Sequence, residues 1–166
     1  MRTYRTALII AVLSATGLAL AACSAPSGSD VPAGFSGLAG VQAEYDAAVH
    51  DFPYALPADI KFPLKVQKPA ESTLYQKGSG LGKAYQFWEC SWQQTAIDAQ
   101  GKQAEAVTEA LKQLQGGLSS AYRTQYVIDS DGVWKKALEQ AQLGDLSAVS
   151  DFYNSDCVWY RAEMKH

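Results

Sequence analysis

Residues 78–99 constrain the fold more than any other stretch of this chain. Leu81, Tyr85, Trp88, Trp92, Ala96 and Ala99 recur at intervals of three and four, and Ala84, Phe87, Cys90, Gln94 and Ile97 form a second stripe beside the first. That spacing puts both stripes on one α-helix. A helix apolar over so much of its circumference has to be covered by neighbours on several sides. The fold is therefore expected to assemble around this segment, which Gly101 interrupts.

The neighbours are legible at the same period. Val41, Tyr45, Ala48 and Phe52, with Val49 beside them, predict a helix from Leu38 that Pro53 stops. Ala104, Val107, Leu111 and Leu114 predict an amphipathic helix over 102–115, its apolar face turned to the core rather than to a partner. A break is expected at Gly116-Gly117, since each glycine costs about 1 kcal/mol inside a helix. Further helical stretches are expected over 118–127, around Trp134, Ala137, Leu138 and Ala141, from Asp145 through Phe152 and Tyr153, and over 156–164. Prolines at 53, 57, 63 and 69 exclude a helix there and leave an extended arm, with a short edge strand at Ile60–Val66. The expectation is an all-α fold: a small orthogonal or bundled helical domain of five to six helices, residues 38–166, with a proline-rich arm near its N-terminus.

Ahead of that domain, Arg2 and Arg5 precede an uncharged run from Ala7 to Ala22. A charged start followed by an apolar run is the pattern of a secretory signal. Ser14, Thr16 and Gly17 interrupt the run, which falls short of the roughly 20 strongly apolar residues of a membrane span. Leu20-Ala21-Ala22-Cys23 resembles the lipobox of bacterial lipoproteins. The resemblance implies cleavage of residues 1–22, diacylglycerol on the Cys23 sulfur, and a lipid-anchored product on the outer face of the cell membrane. Two acyl chains hold far better than one, because each buried methylene adds about 0.8 kcal/mol. Residues 24–37, rich in Gly, Ser and Pro, read as a flexible tether.

With Cys23 committed to lipid, Cys90 and Cys157 remain as an even pair in an oxidising space, and a disulfide between them is expected. Without residues 1–22, 12 basic side chains face 17 acidic ones, a formal charge of −5. A chain of that sign lacking a Lys/Arg cluster is a poor partner for nucleic acid. No polybasic stretch follows Cys23, so attachment falls to the lipid.

Motifs that carry chemistry are sparse. Gly78-Ser79-Gly80-Leu81-Gly82-Lys83 has Lys77 and Ala84 where a phosphate loop needs Gly and Ser or Thr, so it reads as a turn and helix start, with no nucleotide expected. Asp129, Asp131 and Gly132 fail as a calcium loop, because Val127 and Leu138 occupy its first and last ligand positions; the aspartates read as helix caps. His50 and His166 form no metal pattern, and there is no G-x-S-x-G. Neither cofactor nor metal is expected.

One constellation remains. Glu89 precedes Cys90 and Asp156 precedes Cys157, so the disulfide would bring two carboxylates together beside Trp88, Trp92, Trp159 and Tyr160. Paired carboxylates among rings are the equipment of glycan binding or cleavage. Against that, the tryptophans would serve as core and the carboxylates would pair with Arg123 and Arg161. Adjacent residues on a helix also diverge, which weakens convergence. The Ala-rich helices and the W-x-C-x-W segment from Trp88 to Trp92 resemble small exported lipoproteins of high-GC Gram-positive bacteria, and no catalytic residue follows from that resemblance. The leading expectation is a non-enzymatic module that binds a protein or, second, a glycan of the envelope; the alternative is a glycan hydrolase using Glu89 and Asp156.

Overall fold

The computed structural model describes residues 32–66 and 73–165. The signal segment, Cys23 and residues 24–31 of the tether lie outside the described residues, as does His166. The elements run β1 (Phe35–Ser36), α1 (Leu38–His50), β2 (Tyr75–Gln76), α2 (Ser79–Ala99), α3 (Ala104–Gly117), α4 (Ala121–Tyr126), α5 (Val133–Gln142), α6 (Ser147–Asp156) and α7 (Val158–Glu163). The fold is all-α, with seven helices among the described residues against the five to six expected; α4 and α7 are only six residues each. The one sheet among the described residues is the antiparallel pairing of β1 with β2, two residues each, so structure begins within the stretch read as tether, before Leu38.

The two stripes of α2 serve two core clusters, which meet at Phe52, Leu56 and Phe62. Trp88, Trp92 and Ala96 pack with Leu111 and Leu114 of α3, Trp134 and Leu138 of α5 and Val149 of α6. Ala84, Phe87 and Cys90 pack with Val41 and Tyr45 of α1 and with Cys157, Trp159 and Tyr160 at the C-terminal end. The Cys90–Cys157 disulfide is formed, with Cα atoms 5.6 Å apart, and joins α2 to the α6–α7 junction. Closing a loop of 67 positions stabilises the fold by about 4 kcal/mol in the chain-entropy account.

The stretch from Asp51 to Val66 contains no strand, which corrects the edge strand expected at Ile60–Val66. Side chains of the neighbouring helices take the place of a β partner. Trp88 and Trp92, one turn apart on α2, both donate their indole N–H to the Ala55 carbonyl, at 2.8 and 2.9 Å. Tyr45 donates to the Pro63 carbonyl, while the Gln42 amide donates to Leu64 O and accepts from Val66 N. The part-buried carbonyls of Ala55 and Pro63 and the Val66 N–H, paired this way, avoid the penalty of unsatisfied burial.

The glycines near α2 are packing surfaces. Gly80 is where α1 crosses α2: a Cβ there would press into the Val41 carbonyl oxygen and lie 2.6 Å from Tyr45 N. Glu44 of α1 accepts from Gly78 N and Gly80 N, both at 3.0 Å, and so caps α2 from a neighbouring helix. That carboxylate occupies the donors a phosphate would need. The break expected at Gly116-Gly117 is present: α3 ends at Gly117, a turn follows at Leu118 and Ser119, and α4 starts at Ala121. A Cβ at Gly117 would meet the Trp88 ring at 2.7 Å, whereas Gly116 faces open space.

These two environments predict opposite signs. Gly80→Ala should destabilise by about 2 kcal/mol through backbone overlap, and Gly116→Ala should stabilise by about 0.5–1 kcal/mol through helix propensity. Urea unfolding of both variants checks this; equal effects would show that α1 does not ride on Gly80.

Candidate functional site

Polar residues of α2 on the seam between its two cores, Lys83, Gln86, Glu89 and Gln93, line a cleft of about 1140 Å³. Tyr122, Arg123 and Tyr126 of α4 border it, as do Phe152, Ser155 and Asp156 of α6, Trp134 of α5 and the residues of β2. Two local features place α4. Ser120, itself buried, accepts from Arg123 N and caps the helix. Gly82 leaves room for the Tyr122 hydroxyl, which would lie 2.9 Å from a Cβ, and Tyr122 stacks on Tyr85 at 5.0 Å and 18°.

At the centre is an ion pair. Arg123 Nε donates to Glu89 Oε1 at 2.9 Å, with the two side chains only 14% and 17% exposed, and its guanidinium carbon lies 5.7 Å from the Trp134 ring centroid. Burial pushes the Glu89 carboxyl up from its ordinary range, Arg123 pulls it back through charge and hydrogen bond, and the charge of Asp156 adds a smaller upward push. Burial, then the Glu89 charge, also raises the Tyr122 phenol, with Arg123 opposing. Lys83 is lowered by burial; its ammonium donates to Gln86 Oε1 at 3.1 Å and lies 5.3 Å from the Trp159 ring centroid. Gln86 in turn donates to the Asp156 carbonyl at 2.7 Å, tying α2 to the end of α6.

Glu89 and Asp156 thus border one cleft, and the Cys90 side of the disulfide forms part of its floor. The four rings expected there do not. Trp88 and Trp92 are buried beneath the arm, Trp159 donates to Glu163 at 3.0 Å, and Tyr160 packs edge-on to Phe87 at 5.0 Å. Neighbouring helix positions diverge by about 100°, so with Glu89 at the cleft, Trp88 and Cys90 turn toward opposite cores. The rings at the cleft are Tyr122, Tyr126, Trp134 and Phe152 instead. Asp156 accepts from Ser155 Oγ at 2.7 Å, and Arg161 donates to the carbonyls of Tyr153 and Asn154 rather than to Asp156. Asp129 accepts from Val133 N at the start of α5 and Asp145 from Ser147 N at the start of α6, although the N-cap residues are Gly132 and Leu146 rather than Asp131 or Asp145.

Sequence reasoning treated Arg123 only as a neutralising partner and overlooked Tyr122, Trp134 and Lys83 as cleft residues. The usable sign was that Lys83, Gln86, Glu89 and Gln93 make a polar seam along a helix otherwise covered on both sides. No family model, curated protein or solved structure matches this chain.

Arg123→Met should uncover the cost of burying Glu89. The carboxyl pKa then rises further above its unfolded value, so the lost stability grows as pH rises through that raised range. We expect near-normal stability at about pH 4 and a deficit of about 2–3 kcal/mol at about pH 8, removed by adding Glu89→Gln. Urea midpoints across pH check this; a deficit independent of pH contradicts it.

Proposed function

We propose that the chain is an exported module, tethered by lipid on Cys23 to the outer face of the cell membrane, that binds an envelope partner in the α2–α4–α6 cleft without catalysis. The observation that carries the binding reading is the Glu89–Arg123 pair at the centre of the cleft. A carboxylate already bonded to a guanidinium at 2.9 Å is a recognition element with two further guanidinium nitrogens to offer, not a free proton donor. A cleft of about 1140 Å³ is ample for a peptide segment or a few sugar rings.

A glycan ligand is the second reading. It is favoured by Glu89 and Asp156 sharing one cleft with planar amides at Gln86 and Gln93 and with ring faces at Tyr122 and Tyr126. Anchoring rests on the lipobox pattern at Leu20–Cys23. No helix among the described residues is long and apolar enough to cross a membrane.

A photo-crosslinking residue placed at Gln125, on the cleft rim, tests the reading in living cells against the same probe at the exposed Gln140. We expect an adduct from Gln125 alone, in the membrane fraction, and its release to the soluble fraction in Cys23→Ala. An adduct reduced by protease is a protein partner, and one reduced by muramidase supports the glycan. No adduct from Gln125 would contradict the cleft as a binding site.

A further inference from the structure

The register of the small ribbon defines an outward face. Phe35 lies opposite Gln76 and Ser36 opposite Tyr75. Side chains alternate along a strand, so Phe35, Gln76 and Leu74 share one side and Ser36 and Tyr75 the other. The inner side packs on the molecule: Tyr75 lies against the Val41–Phe87 core cluster, and Ser36 Oγ and the Tyr75 hydroxyl are sealed from water. On the outer side Phe35 is 44% and Leu74 45% exposed. Lys77, next after Gln76 and bonded through its N–H to Gly34 O, is exposed as well.

We propose that this face, carried by Phe35 and Leu74, rests in the headgroup region of the membrane to which the lipid attaches. The inference depends on the anchoring reading above, and two further observations supply it with an occupant. First, the described chain begins at Pro32, nine residues after Cys23, and Phe35 is twelve after it. Twelve residues span at most about 40 Å, so an acylated Cys23 keeps the ribbon within that distance of the bilayer and presents it at high local concentration. Second, an exposed aromatic and an exposed aliphatic side chain with Lys77 at the end of the ribbon match an interface that is apolar below and anionic above. With the ribbon seated, the domain takes one orientation on the membrane instead of tumbling on its tether.

The test uses the full acylated protein on vesicles of phosphatidylethanolamine and phosphatidylglycerol, with a nitroxide attached through Leu74→Cys or, as control, through Leu143→Cys. Leu143 is 90% exposed at the end of α5. Co-sedimentation is scored first, then collision of the nitroxide with a water-soluble nickel chelate. We expect the Leu74 label to be shielded at least threefold on vesicles relative to solution, the Leu143 label to be unchanged, and Phe35→Ser to remove the shielding. Equal accessibility of both labels on sedimented vesicles overturns the docking and leaves the anchor standing. Failure to co-sediment removes the anchor and the docking with it. Shielding that appears without vesicles as protein concentration rises assigns the face to a second copy and also overturns the proposal.

Discussion

The structure depends on covering α2 from two sides at once. Its stripes face different partners: one cluster draws on α3, α5 and α6, the other on α1 and the disulfide, and Phe52, Leu56 and Phe62 pack against both. Burying Trp88, Trp92, Tyr85 and Phe87 on one helix concentrates apolar area where every other element can reach it. The close approaches that this requires explain the glycines. Gly80 admits α1, Gly82 admits Tyr122 and Gly117 admits the Trp88 ring, each at a spacing no Cβ would allow.

The same arrangement makes the cleft. Two cores on opposite sides of one helix leave a seam between them, and on one side of α2 that seam is polar. Whatever lies there is close to the core yet open to ligand, so the Glu89–Arg123 pair sits in a medium where charge is costly and hydrogen bonds are strong. The disulfide sets the position of the α6–α7 junction, and with it Asp156, relative to that pair. Fold stability and site geometry are therefore linked through one covalent bond and one turn of α2.

Periodicity made the helices legible because the apolar repeat of a helix depends only on local spacing; every helical stretch read from the pattern has its counterpart within a few residues. The Cys90–Cys157 bond was legible because counting cysteines leaves one pairing once Cys23 is assigned elsewhere. Pattern could not show what the arm between Asp51 and Val66 does with its backbone, since its partners are the side chains of Tyr45, Gln42, Trp88 and Trp92 from distant turns. Nor could it show that Glu44 caps α2, because no local residue does so. In the cleft, adjacency in sequence pointed to Trp88 and Tyr160, whereas the helical turn of about 100° per residue sent those rings into the cores and brought Tyr122 and Trp134, from other helices, to Glu89.

Native-state hydrogen exchange measures the central claim most directly. If both cores rest on α2, the amides from Phe87 to Ala96 exchange only through global unfolding. They should then be the slowest in the protein, with a free energy of exchange equal to that of urea unfolding. Slower exchange in α3 or α5 than in α2, or opening of α2 at markedly lower free energy than the whole, would contradict a fold built around that helix.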